Sequence, residues 1–246
     1  MSRTALLAAV FASLLAGCAS DGPRSRGGRL DVGGPHDRLE FRANPSAVIA
    51  AELAFARLAQ EKGQWTAFLE TSADDAVMFV PQPVNAHEWL RGRANPAQAV
   101  TWQPHQVWSS CDGTLAVTKG AWQRPDGTVG YFTTVWTRER DGDHKWVLDQ
   151  GDGLEQSLAA PDLIDGKVAE CARNGAPADR PERYRYRPAS IRPMACEGAT
   201  CRGGGTSADG TLSYDYQVTA QGRQLTVQMR ENGAMAEAMR SDVSAE

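Results

Sequence analysis

Thr114-Leu115-Ala116-Val117-Thr118-Lys119-Gly120-Ala121-Trp122 and Val129-Gly130-Tyr131-Phe132-Thr133-Thr134-Val135-Trp136-Thr137, joined through Pro125-Asp126-Gly127, decide how this chain folds. Both runs are rich in β-branched and aromatic residues, which suit a pleated, packed surface. An Asp-Gly pair between two such runs is a turn signal, so the reading is an antiparallel hairpin. Asp141-Gly142-Asp143 then returns the chain into a third run from Lys145 to Asp149. Trp102, Val107 and Trp108 lie in an extended region just upstream. Residues 100–149 therefore predict an antiparallel meander of long, aromatic-rich strands.

Outward toward the N-terminus the period changes from two to that of a helix. Asn44 is placed to cap a helix and Pro45 suits its first position. Val48, Ala51, Phe55, Leu58 and Ala59 follow at helical spacing, and Gly63 closes the segment. A short second helix carries Trp65, Phe68 and Leu69, Val77 and Phe79 belong to a buried strand ended by Pro81, and His87–Arg91 predicts a third short helix. Asp74-Asp75 reads as part of a turn, since adjacent strand residues point to opposite faces and cannot share a metal. Outward toward the C-terminus, a short helix is expected around Leu163–Cys171, then a connection rich in proline and arginine. Gly203-Gly204-Gly205 reads as a loop. Leu212, Tyr214, Tyr216 and Val218 alternate with polar residues, Gln221-Gly222 turns, and Leu225, Val227 and Met229 alternate again, which predicts a last hairpin. The tail after Asn232-Gly233 is expected to form a short helix or to fray. No internal repeat of fixed period stands out.

Two helices, a strand, a short helix and a long-stranded meander resemble the nuclear transport factor 2-like superfamily, which includes ketosteroid isomerase and the SnoaL-type polyketide cyclases. The local pieces that carry the resemblance are Ala73-Asp74-Asp75-Ala76-Val77-Met78-Phe79-Val80-Pro81 and Trp146-Val147-Leu148-Asp149-Gln150-Gly151. The resemblance implies an α+β fold, a cone-like curved antiparallel sheet wrapped around a long N-terminal helix. A C-terminal extension with a disulfide-clipped β-hairpin follows it. It also implies a pocket between helix and sheet, suited to a small apolar ligand, with Trp102, Trp122, Phe132 and Trp136 as candidate lining. Family members often dimerise through the open sheet face, so a homodimer is an expected partner state.

The chemistry of the isomerase does not transfer. Its general-base aspartate sits just before the proline that follows the first strand, and that position here is Val80. Its oxyanion hole uses a tyrosine of the first helix, and no tyrosine precedes Tyr131 here. The remaining acid–base candidates are His87 or His105 paired with Asp149 or Asp152, as in dehydratase members of the family. His144 falls at a turn and reads as a surface residue. No nucleophile elbow, phosphate loop or dinucleotide fingerprint occurs, and no cofactor or metal is expected.

At the start of the chain, Arg3, an apolar run from Ala5 to Leu15 and the tetrapeptide Leu15-Ala16-Gly17-Cys18 resemble a bacterial lipoprotein signal. The resemblance implies cleavage before Cys18, acylation of its thiol and attachment to a lipid bilayer by several acyl chains. Ala19 and Ser20 follow the cysteine where an aspartate would retain the protein in the inner membrane. A two-membraned cell would therefore carry it on the outer membrane, facing the periplasm. The organisation read from the sequence is residues 1–17 as signal, 18–43 as lipidated cysteine and tether, 44–155 as the pocket-bearing domain and 156–246 as the extension.

Net charge is −4 with 26 basic and 30 acidic side chains, which provides no electrostatic footprint for nucleic acid. Arg180, Arg183, Arg185, Arg187 and Arg192 form one basic cluster, read as a solvated loop face. The four cysteines beyond Cys18 suggest disulfides in an oxidising compartment. Cys196 and Cys201 enclose a natural small loop, which leaves Cys111 with Cys171. Three pairings remain open, and zinc held by the Cys196–Cys201 pair is the rival reading. The functional expectation is a lipid-anchored envelope protein that binds a small apolar ligand or a protein partner. The alternatives are a SnoaL- or dehydratase-like enzyme and an assembly factor docking through residues 195–230.

Overall fold

The computed structural model describes residues 42–171 and 186–245. The signal segment, Cys18, nearly all of the tether and Arg180, Arg183 and Arg185 lie outside them. Helix α1 (Pro45–Lys62) starts as its sequence dictates, with Asn44 Oδ1 accepting the Ala47 amide at 3.2 Å and Pro45 in the first turn. Its buried stripe is Val48, Glu52, Phe55 and Ala59. Gly63, at φ +100°, separates α1 from α2 (Gln64–Thr71). Strands β1 (Ser72–Phe79) and β2 (Pro83–Asn85), helix α3 (Ala86–Leu90) and strands β3 (Thr101–Ser109), β4 (Leu115–Gln123), β5 (Val129–Arg138) and β6 (His144–Leu154) follow.

These strands join β7 (Asp165–Val168) in one seven-stranded sheet, ordered β2-β1-β6-β5-β4-β3-β7. The class is α+β, but the sheet is mixed rather than antiparallel. β1 runs parallel to β6, and β7 runs parallel to β3. Register shifts at Ser72/Val77, Pro104/Gln106 and Val135/Trp136 bend the strands, and the sheet is curved. Asp74 and Asp75 sit in the irregular stretch of β1 rather than in a turn.

The second half corrects several expectations. The segment expected as a helix at 163–171 forms β7 instead, because Gly166 and Val168 pair with Val107 and Ser109 on an edge that helical packing would leave open. The last hairpin is part of a five-stranded sheet, ordered β12-β11-β10-β9-β8. Its strands are β8 (Ser190–Glu197), β9 (Thr200–Thr206), β10 (Leu212–Thr219), β11 (Gly222–Glu231) and β12 (Ala234–Ser244). The tail is therefore a full strand, since β11 offers it a continuous ladder from Gly222 to Glu231. Gly203-Gly204-Gly205 is strand, not loop. A side chain at Gly203 would collide with the Tyr216 ring, which lies across the backbone there. Cys111 bonds Cys171 and Cys196 bonds Cys201, so the thiolates that zinc would need are oxidised. The second bridge clips the β8–β9 hairpin rather than the final one.

Two cores hold the chain together. One lies between the seven-stranded sheet and the helices and contains Phe55, Ala59, Val107, Ala116, Trp136 and Trp146. The other lies between the two sheets and contains Leu115, Val117, Val135, Leu212, Tyr214 and Val227. The seven-stranded sheet is thus covered on both faces, by the helices on one and by the chain's own C-terminal sheet on the other.

One sequence feature behind this packing escaped the linear reading. Ser110-Cys111-Asp112-Gly113-Thr114-Leu115 and Ser207-Ala208-Asp209-Gly210-Thr211-Leu212 are the same turn, S-x-D-G-T-L, at the corresponding end of each sheet. In each, the aspartate Oδ1 accepts the serine hydroxyl, the threonine amide and the threonine hydroxyl. The two turns also bond each other reciprocally. The Cys111 amide donates to Thr211 Oγ1 and the Ala208 amide donates to Thr114 Oγ1, both at 2.9 Å.

Candidate functional site

A cavity of about 850 Å³ opens between the helices, the inner face of the seven-stranded sheet and the near end of the C-terminal sheet. Its aromatic wall comes from α1 and α2 (Phe55, Phe68) and from the sheet (Trp102, Trp122, Phe132). The rings brace one another edge to face, with Phe55 4.8 Å from both Phe68 and Trp102. Trp122 is seated by two local features. Gly130 on the neighbouring strand has no Cβ, where one would meet the indole at 2.2 Å, and the Tyr131 carbonyl accepts Trp122 Nε1 at 2.9 Å.

Of the four aromatics singled out from the sequence, Trp102, Trp122 and Phe132 line this cavity. Trp136 does not. It lies one layer below, 1 % exposed, with Phe55 edge-on at 6.1 Å. Its indole is held by a residue that the sequence reading passed over, Glu52. This carboxylate is fully buried in the apolar stripe of α1. Three donors converge on it: Trp102 Nε1 at 2.8 Å, Thr118 Oγ1 at 2.5 Å and Trp136 Nε1 at 3.1 Å. Burial pushes its pKa up, and these hydrogen bonds oppose the shift. A charged residue at an apolar helical position was the legible signal, because such a group is tolerated only when it is well partnered.

Asp149, on β6, faces the cavity two strands from Thr118. Thr134 Oγ1 on β5 donates to its Oδ2 at 2.9 Å. Enclosure by the protein pushes its pKa up to about 7; the Thr134 hydrogen bond opposes this, and the nearby charge of Glu52 adds to it. A carboxyl group poised near neutral pH accepts a hydrogen bond in one protonation state and donates in the other, so it can hold a ligand hydroxyl or carbonyl or transfer a proton.

The histidines are elsewhere. His87 Nε2 lies 2.9 Å from Ser72 Oγ, tying α3 to the start of β1. His105 sits at the bulge of β3, where burial lowers its pKa. Neither lines the cavity with Asp149. Asp152 does line it, its Oδ1 accepting its own neighbour's amide, Gly153 N, at 2.9 Å. Val80 lines it too. Among the described residues, no group of three or more potential ligands could hold a metal ion. No described helix is long and apolar enough to cross a membrane.

No family profile and no curated protein matches the chain. Among solved structures it is similar to a candidate aromatic ring hydroxylase from Novosphingobium aromaticivorans, at 18 % identity and a TM-score of 0.36 over 46 % of this chain and 91 % of that one. A candidate ketosteroid isomerase from Parabacteroides distasonis matches at 16 % identity and a TM-score of 0.37, over 47 % and 97 %. A candidate Ca/calmodulin-dependent kinase II association domain from Exiguobacterium sibiricum matches at 15 % and 0.32, over 46 % and 97 %.

Proposed function

We propose that this chain is a lipid-anchored envelope protein whose residues 44–155 form a nuclear transport factor 2-like cone that binds a small, mostly apolar molecule. The observation that carries the binding reading is the cavity itself. About 850 Å³ walled by aromatic rings, with a few convergent polar groups, matches the size and lining of small-molecule sites. Anchoring and location rest on Leu15-Ala16-Gly17-Cys18. Both disulfides support them, since such bridges persist in oxidising compartments.

The test is native mass spectrometry of residues 19–246 made in an oxidising compartment, with denaturing extraction of whatever travels with the protein. A stoichiometric small molecule supports the reading. A protein at the mass of its chain alone, with tryptophan fluorescence that no apolar probe perturbs, overturns it. Labelling of the full precursor with an alkyne fatty acid tests the anchor. Label that persists in Cys18→Ser would remove it.

One observation favours a second reading, an acid–base enzyme. Asp149 faces the cavity, and burial pushes its carboxyl up to about 7. In that reading Asp149 carries the proton, in place of the His87 or His105 couple. Asp149→Asn would then abolish turnover of a substrate while leaving its binding within a few-fold.

A further inference from the structure

The cavity has one wall that the domain of residues 44–155 does not supply. Val218, Thr219, Gly222, Arg223, Val243 and Ser244 come from the C-terminal sheet. Arg223 is the only cation among these six. Its Nη2 donates to the Gly151 carbonyl on β6, and its guanidinium lies 5.7 Å from the Phe79 ring, with both Gly151 and Phe79 on the cavity lining. Its Nε is buried and has no hydrogen-bond partner. Among the described residues no ion pair forms on this guanidinium, and the Asp152 carboxylate nearby is turned to Gly153 N. A carbonyl and a ring face orient a guanidinium without pairing its charge, so a cation without an ion-pair partner among the described residues stands at one end of the cavity, on the same lining as Asp152. Arg124 adds a second cation on the same lining, stacked 4.9 Å over Trp122.

Resting on the reading of the cavity as a small-molecule site, we infer that its ligand is an amphipathic organic acid. Its apolar body lies against Phe55, Trp102, Trp122 and Phe132, and its carboxylate is paired with Arg223. A charge-assisted hydrogen bond from the guanidinium, beyond the one that Nη2 gives Gly151, then holds the carboxylate at the cavity wall. The C-terminal sheet is then the specificity element of the site, reaching in from residues that a bare cone would not have. Asp149 lies on the same lining and would repel an acid when ionised. The body therefore occupies the Asp149 side and the head the Arg223 side.

The experiment is isothermal titration calorimetry of residues 19–246, both disulfides formed, with 6-phenylhexanoate and its neutral isostere 6-phenylhexanamide. The acid is expected to bind about tenfold or more tighter than the amide, as a charge-assisted hydrogen-bonded pair implies. Arg223→Gln should bring that ratio close to one, and Arg223→Lys should restore part of it. Circular dichroism melts of both variants check that they fold. Amide binding as tight as acid binding, or a ratio that survives Arg223→Gln, overturns the inference and leaves the small-molecule reading standing. Failure of both probes to bind overturns the inference, and a chain that is also empty by native mass spectrometry overturns the small-molecule reading with it.

Discussion

The same S-x-D-G-T-L turn opens β4 and β10, yet the strands it opens are buried in different ways. After the first turn, Leu115, Ala116, Val117 and Thr118 are all buried. After the second, Leu212, Tyr214, Tyr216 and Val218 are buried while Asp215 and Gln217 are exposed. β4 is an interior strand of a sheet covered by helices on one side and by a second sheet on the other. β10 is central in a sheet covered on one side only. A strand buried on both faces reads as a nearly continuous run and a strand buried on one face reads as an alternation. The local turn is therefore set by six residues, and the exposure of the strand it opens is set by how many layers pack on that strand. The consequence for function lies at the margin between the two sheets. The doubly covered sheet supplies Trp102, Trp122, Phe132 and Asp149, and the singly covered one contributes Arg223.

The comparison predicts unequal dependence on the two disulfides. Cys111–Cys171 joins a turn of the first sheet to the segment after β7, over a separation of 60 residues. That segment touches both sheets, with the Ala169 amide donating to the Ser109 carbonyl and the Glu170 amide to the Arg230 carbonyl. Cys196–Cys201 spans a separation of 5 within one hairpin. Loop-closure entropy assigns about 4 kcal/mol to the first and about 2 kcal/mol to the second. Urea melts of Cys111→Ala/Cys171→Ala and Cys196→Ala/Cys201→Ala should rank in that order. Equal losses would mean that the long bridge does not tie the sheets together.

Leu115 and Leu212 occupy the same position of the two turns, and both are fully buried in the shared core. Alanine at either should cost about 3 kcal/mol. The double variant should fall short of the sum, because the two sheets bury them in one cluster. Full additivity in denaturant titrations would mean that the sheets are independent.

The buried carboxyls separate the two regions by pH. Asp149, raised to about 7 in the folded chain, sits near 4 when unfolded. Its folded form binds the extra proton between those values, so its contribution is fully present below about 4 and is lost as pH rises through about 7. Asp149→Asn should remove about 2 kcal/mol of that pH-dependent decline, discounted for the part of the side chain exposed to the cavity. Stability measured from pH 4 to pH 8 checks this. A slope unchanged in Asp149→Asn would place the titrating group elsewhere, with Glu52 as the next to replace.

The smallest effect concerns the turns. Asp112 and Asp209 each serve three donors of their own turn, but Asp209 Oδ2 also accepts the Asp112 amide at 2.9 Å across the sheets. Alanine at Asp112 should cost about 1 kcal/mol, and alanine at Asp209 a few tenths more. The reverse order would show that the cross-sheet bond contributes nothing.

Much of this molecule could be read along the chain. Asn44-Pro45 marks the start of α1, Asp126-Gly127 and Asp141-Gly142 mark the meander turns, and the alternation of Leu212 to Met229 marks a hairpin. Each is a local matter of backbone preference and period. The readings that failed, a helix at 163–171, a loop at Gly203–Gly205 and a frayed tail, fall on residues that are strand because a neighbouring strand offered its ladder. Local propensity carries no information about such an offer. The site divides in the same way. Trp102, Trp122 and Phe132 were expected on the cavity through the resemblance, as was Trp136, which lies below it, and Asp149 was legible as a carboxylate on the last strand of the meander. The start of α1, the meander and its turns and the alternation of β10 and β11 were legible along the chain, because they depend on period and residue type over a few neighbours. Packing alone brings Glu52 to two indoles and a hydroxyl from three different strands, and Arg223 to Gly151 from a second sheet. The free energy of a buried charge depends on which distant groups enclose it, and that is a property of packing rather than of spacing.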